Sequence, residues 1–258
     1  MLKNNKNNKR NDNSNEYLRN LLGLNILTLT NKTYGVGKYD LMHLMTPSRV
    51  DLDYLALYSD YYEYTKTTNT GVCFYEYDKY FDGINGIWNS IYYNNKKQLL
   101  SFKKRFSKIG YIISPDYSLC GDIPEIFNIY NIQRSRIVAL WLVLECGKLV
   151  IPGITYADER SFEYMLDGLE ECNVVAFSSK VSLQKKSQSE LLIKAVNFTV
   201  DSLKFLKQII VYDASTDFER TRKLYFNSAL EKGIDILFPE NRFHERRLQM
   251  RGGKYGQI

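Results

Sequence analysis

Apolar runs of strand length alternate with amphipathic helical stretches through most of this 258-residue chain, and no other feature constrains its fold as strongly. Five runs stand out, at residues 111–114, 149–154, 174–177, 209–212 and 234–238. Two earlier runs, 54–58 and 72–77, are rich in aromatic residues and bring the count to seven. Strands joined by helical crossovers run parallel, so their C-terminal ends share one rim. Each unit spans roughly 25–40 residues, the size of a βαβ unit. The expected class is α/β, with mostly parallel β/α units in an irregular or incomplete (β/α) barrel. An open doubly wound sheet is the alternative.

The helical stretches carry readable punctuation. Residues 79–106 read as helical with a break at Asn94-Asn95. Asp122, Pro124 and Glu125 read as the capped start of a helix whose buried stripe is Ile137, Leu140, Trp141 and Leu144, and Gly147 ends it. Asp158 and Ser161 read as caps for a helix with Phe162, Met165, Leu166 and Leu169 inside. Residues 188–206 and 218–232 repeat the pattern, with Gly233 closing the last. Residues 30–39 read as a loop; their Gly35-Val36-Gly37-Lys38 lacks the spacing of a phosphate-binding loop, and no GxGxxG fingerprint appears.

Charge divides the chain into three parts. The net charge is +6. Lys3, Lys6, Lys9 and Arg10 make the first ten residues basic. Arg242, Arg246, Arg247, Arg251 and Lys254 do the same for the other end, while residues 11–241 are close to neutral. Residues 1–16 hold too few apolar groups to offset ordering entropy and are expected to form a disordered basic arm. Residues 17–241 form one α/β domain, and 242–258 a basic, glycine-containing tail. Basic ends suit a polyanion, so DNA or RNA is the expected partner, with those five cations as its contacts. No run reaches the length of a membrane span, and the apolar stretch 21–29 is too short and polar-broken for a signal peptide. Cys73, Cys120, Cys146 and Cys172 form no CxxC pair, which argues against a zinc knuckle and for reduced thiols in the cytoplasm.

The rim is where chemistry is expected. Asp78, Asp116 and Asp213 lie at three strand exits and Ser179 and Lys180 at a fourth. Converging carboxylates can divide as acid and base, or hold a divalent cation such as Mg²⁺. Asp116 is the foremost of them, because Pro115 restricts its backbone and Asp122 already supplies the helix cap. Ser118 and Cys120 sit in the densest polar segment but lack a nearby base. The only histidines, His43 and His244, are read as lying in the leader and the tail, outside the core. Arg134 and Arg136, near a helix start, can fork onto an anion or pair internally with Glu125 or Asp122.

Several segments read in order carry a family resemblance. They include Val72-Cys73-Phe74-Tyr75-Glu76-Tyr77-Asp78, Ser114-Pro115-Asp116-Tyr117-Ser118-Leu119, Asp122-Ile123-Pro124, and Arg134-Ser135-Arg136. Val150-Ile151-Pro152, Ser161-Phe162 and Asp167-Gly168-Leu169 follow. Residues from about 71 to 212 thereby resemble an uncharacterised family, domain of unknown function 4417, of bacteria, phages and mobile elements. The resemblance implies a similar fold and a mobile-element setting, and brings no mechanism. It singles out Asp116, Asp122, Arg134 and Arg136 for testing together. The function expected is nucleic-acid association through the basic ends; the alternative is a phosphate-directed enzyme with a carboxylate site at the strand ends.

Overall fold

The computed structural model describes Tyr17, residues 23–180 and residues 186–252, the last two by backbone alone. The arm 1–16 and Lys254 lie outside the described residues. Helix α1 (Leu27–Thr30) leads into an antiparallel hairpin of β1 (Gly35–Val36) and β2 (Leu41–Met42), where the sequence reading expected only loop. Seven strands follow: β3 (Tyr54–Leu57), β4 (Thr70–Cys73), β5 (Tyr111–Ile113), β6 (Leu149–Ile151), β7 (Val174–Ser178), β8 (Gln208–Tyr212) and β9 (Asp235–Leu237). Between and after them lie α2 (Ile87–Tyr92), α3 (Lys96–Arg105), α4 (Glu125–Cys146), α5 (Lys186–Ser202), α6 (Phe218–Tyr225), α7 (Asn227–Glu231) and α8 (Arg242–Gly252).

The seven strands form two parallel sheets, ordered β3-β4-β5-β6 and β7-β8-β9. Isolated bridges join the sheets, Gly153 with Ala176 at one seam and Tyr54 with Glu240 at the other. At the first seam Ile154 N–H donates to Ala176 O (2.8 Å) and Ala176 N–H to Pro152 O (2.9 Å). At the second, Leu55 N–H donates to Glu240 O (2.8 Å) and Glu240 N–H to Asp53 O (2.9 Å). Among the described residues no continuous ladder closes the ring, so the architecture is an irregular, incomplete barrel.

Strand alternation sorts side chains into two cores. Ile112, Val150, Val175, Phe177, Ile209 and Val211 face outward and pack with Ile137, Leu140, Trp141, Leu192 and Val196 of the helices. Leu55, Leu57, Cys73, Tyr75, Ile113, Ile151, Val174, Ala176, Ile210 and Tyr212 face inward and fill the lumen. Strands covered on both faces explain why the runs are so uniformly apolar. Among the described residues no helix is long and apolar enough to cross a membrane.

The break at Asn94-Asn95 is present: Asn94 has φ +51°, and the Asn95 side chain caps α3 by accepting from Gln98 N–H at 3.3 Å. The part of 79–106 before α2 is a short 3-10 turn (Asp78–Tyr80) and loop. Gly147 ends α4 with φ +63°, as a C′ glycine does. Other expectations differ from the fold, and the helix expected over 218–232 is split at Phe226 into α6 and α7. The helix expected after Asp158 is only a 3-10 turn, Glu159–Glu163. Its continuation is diverted because Gly168 O accepts from Leu44 N–H (2.8 Å), and a Cβ on Gly168 (φ +81°) would stand 2.6 Å from Met42 O. Asp122 caps nothing: α4 begins after Pro124 without a side-chain cap, and Glu125 turns instead to the Tyr164 hydroxyl and to Arg160 (3.4 Å).

Candidate functional site at the C-terminal mouth

Parallel strands bring their exits to one mouth above the apolar lumen, and there the three aspartates take different roles. Asp213, after β8, is fully buried. Its carboxylate accepts from the Ser179 and Ser215 hydroxyls and from Ser215 N–H (3.0 Å), and Asn241 donates to its carbonyl at 2.7 Å. It clamps the exits of β7, β8 and β9 together, with Ser179 as part of the clamp. Asp78 accepts from Ser118 N–H (3.1 Å) and Ser118 Oγ (3.0 Å), tying the loop after β4 to the loop after β5. Asp116, after β5, is half-buried and takes one hydrogen bond, from Thr155 Oγ1 at 2.8 Å. Its second oxygen has no hydrogen-bond partner among the described residues. Burial pushes the Asp116 carboxyl up to about 6; Thr155 opposes this and the Asp78 charge adds to it.

Among the described residues no group of three His, Cys, Asp or Glu side chains is placed to hold a metal ion. The neighbours of Asp116 are instead Tyr75, Tyr156 and Cys73, whose protons its charge helps retain in addition to their burial.

Lys180 reaches across from the second sheet. Its Nζ donates to Tyr75 O at 3.3 Å and lies 5.0 Å from the centre of the Phe243 ring. It forms no ion pair among the described residues. Glu76 has both oxygens engaged by Ser59, from N–H (2.9 Å) and Oγ (2.5 Å). Burial raises its carboxyl above the ordinary value, opposed first by the Ser59 hydrogen bonds and then by the Lys180 charge. The Tyr75 ring packs on Tyr212 at 5.6 Å between centroids, and its hydroxyl is buried without a partner. Tyr75, Glu76 and Thr155 were not singled out from the sequence. The signal was present in 72–77, where strand alternation puts Cys73 and Tyr75 on one face.

The remaining candidates lie outside the mouth or serve structure. Arg134 pairs with Asp82 (2.5 Å), bonds Asn131 (3.1 Å) and stacks 3.9 Å from the Tyr117 ring centre; its partner is Asp82 rather than Glu125 or Asp122. Arg136 is buried and donates to Met165 O (3.0 Å), bracing the 165–169 loop; burial brings its guanidinium down to about 10. Asp122 is exposed, and the Ser118 hydroxyl is spent on Asp78.

The basic tail expected from 242 begins as α8, which is docked. Arg242 pairs with Asp60 at 2.7 Å, and Lys66 with Glu245 at 3.0 Å. His244 is buried, with Nδ1 2.6 Å from Glu240 and its ring stacked on Phe218 at 4.0 Å. His43 is buried too, stacked on Tyr34 at 4.6 Å. Both histidines are thus packing groups, contrary to their expected place outside the core. Arg246 and Arg247 are exposed and form no ion pair among the described residues. The Arg251 side chain lies outside the described residues.

A seven-strand incomplete barrel of parallel strands defines an irregular α/β protein whose candidate site is the half-buried carboxylate at the strand ends. The family model for Domain of unknown function (DUF4417) matches residues 35–228, and the chain belongs to that family. It is similar to the Gene 1 protein of Mycobacterium phage L5, 29% identical over 97 residues, which are 38% of this chain and 42% of the phage protein. It is also similar to the Gene 1 protein of Mycobacterium phage D29, 29% identical over 91 residues, 35% of this chain and 33% of the phage protein. The matches thus span less than half the length of these curated relatives. No solved structure matches the chain.

Proposed function

We propose that the chain is a phage-type enzyme that moves a proton at the mouth of the barrel, with Asp116 as the acid–base group. One observation carries this reading. Asp116 is half-buried, burial pushes its carboxyl up to about 6, and it takes a hydrogen bond on one oxygen while the other has no hydrogen-bond partner among the described residues. A carboxyl near 6 exchanges protons readily at cytoplasmic pH, the condition for general acid–base work. Asp78 and Asp213, spent on backbone and hydroxyl groups, leave Asp116 to carry the chemistry. Phosphate esters, tried with and without Mg²⁺, are the substrate class to test first. Wild-type protein and Asp116→Asn are incubated with a panel of such esters, and products are read by mass spectrometry. Turnover is expected from the wild type and a loss of at least about 100-fold in the variant. Equal turnover by both proteins removes Asp116 from the mechanism.

A second reading is favoured by Arg246 and Arg247, which extend from the docked part of α8 and form no ion pair among the described residues. With the basic arm 1–16 they suit DNA or RNA. Because α8 carries the buried His244, cutting the chain at 242 would damage the fold as well as the charge. Arg246→Glu with Arg247→Glu is the cleaner test. The double variant is expected to weaken oligonucleotide binding and to lower the log–log salt slope by about two. An unchanged slope, with removal of residues 1–10 also without effect, excludes the basic ends as the contact.

A further inference from the structure

We infer that the turn after β3 carries a track for single-stranded nucleic acid, with bases stacked on Tyr61 and Tyr62 and phosphates held by Lys97 and Lys104 of α3, by Arg105 and by Arg242. The inference rests on the nucleic-acid reading and deepens it, naming the form of the strand and a contact surface away from the basic ends. Two observations carry it. The 3-10 turn Tyr61–Glu63 opens two large rings to solvent side by side: Tyr61 is 68% and Tyr62 57% exposed, with ring centres 6.2 Å apart and planes at 78°. A guanidinium stands beside each, Arg105 at 6.0 Å from the centre of the Tyr61 ring and Arg242 at 5.4 Å from that of Tyr62. The turn is fixed from beneath. Arg105 donates to Tyr58 O (2.5 Å), Tyr64 Oη donates to the same carbonyl (2.9 Å), and Tyr54 Oη donates to Glu63 (3.0 Å). Rings held open before binding lose little freedom when a base stacks on them.

Charge is the second observation. Helix α3 holds Lys96, Lys97, Lys103, Lys104 and Arg105 and no acidic residue. Lys97 and Lys104, seven residues apart and so on one face, are exposed and form no ion pair among the described residues. Arg105 anchors the end of that helix on the turn. From the other side Arg242 and Lys66 tie α8 to the same turn, through Asp60 (2.7 Å) and Glu245 (3.0 Å). The acids beside the rings are thereby spent. Asp60 and Glu245 lie in those ion pairs, and Glu63 is buried, which raises its carboxyl above the ordinary value. Cations therefore flank two open rings, the arrangement that suits a chain of phosphates with splayed bases. Bases paired in a duplex offer no face to such rings, so the strand is single.

The full chain is titrated by fluorescence anisotropy with labelled oligo-dT and oligo-U of about 15 nucleotides, a DNA duplex of the same length and a polyglutamate peptide, between about 50 and 200 mM KCl. At least one single strand is expected to bind about tenfold or more tightly than the duplex and the peptide, and the tighter of the two names the sugar. Tyr61→Ala with Tyr62→Ala is expected to weaken that binding by at least about tenfold and to leave the log–log salt slope unchanged. Tyr61→Phe with Tyr62→Phe keeps the rings and is expected to bind as wild type does. Lys97→Ala with Lys104→Ala is expected to lower the slope by about 1.4, the worth of two single-strand phosphate contacts. All four side chains are exposed, so these variants keep the fold. Absence of single-strand binding overturns the inference. So does a duplex or peptide bound as tightly, undiminished binding by the tyrosine-to-alanine variant, or an unchanged slope in the lysine variant. Losses in these variants beside wild-type binding by Arg246→Glu with Arg247→Glu uphold the track where the basic ends fail; the converse result removes the track and leaves the ends as the contact.

Discussion

Asp213→Ala lowers the stability of the protein by about 3 kcal/mol, the largest loss expected of any single rim residue. The carboxylate is fully buried and satisfies two hydroxyls and one backbone N–H. Removing it leaves the buried Ser179 hydroxyl without its acceptor, withdraws an acceptor from the half-buried Ser215, and loosens the exits of β7 and β8 at once. For a domain of this size that loss corresponds to roughly 6–12 °C in Tm. Asp213→Asn keeps the shape and one acceptor and is expected to lose about half as much. Urea denaturation of the three proteins reads both effects. Asp213→Ala within about 1 kcal/mol of wild type would show that the clamp is dispensable.

Asp116→Asn has the opposite sign at neutral pH. The folded carboxyl titrates at about 6 against an unfolded value near 3.8. A raised folded value means the native state binds the proton more tightly than the unfolded chain. The resulting stability is fully present below about pH 4 and is lost as the pH rises through 6. At pH 7.5 the native protein therefore carries an unfavourable charge that the variant lacks. Asparagine also retains an oxygen for the Thr155 hydroxyl. The variant is expected to be more stable than wild type by about 1–3 kcal/mol at pH 7.5 and equal to it at pH 4. The tyrosines facing Asp116 keep the attribution clean: burial holds Tyr75 and Tyr156 protonated across this range. Denaturation curves at pH 4, 6 and 7.5 test it. An offset that does not vary with pH, or a variant less stable at pH 7.5, refutes the assignment. A group that costs stability while taking part in turnover is the pattern expected of a functional carboxylate.

The seven parallel strands were legible because burial on both faces writes them as apolar runs with polar exits. The break at Asn94-Asn95 and the stop at Gly147 were legible because each answers a local backbone demand. What sequence could not convey was which strand exits face each other. Asp78, Asp116 and Asp213 look alike in the chain. They differ only through Ser118, Thr155, Ser179 and Ser215, whose hydroxyls arrive from other loops. Tyr75 escaped notice for the same reason, since a tyrosine in a strand reads as core until its hydroxyl is found without a partner. The helix expected after Asp158 failed through a long-range contact, the pairing of Gly168 with Leu44. The tail was misjudged because charge outweighed Phe243 and His244, the two rings that seat α8.

The seams at Gly153 and Glu240 are each stitched by a pair of backbone hydrogen bonds, while the strands on either side are held by whole ladders. Residues added or lost there would spread or narrow the opening without shifting any strand against its neighbour. The fold thus has two joints at which the spacing between its halves can change while every ladder stays in register.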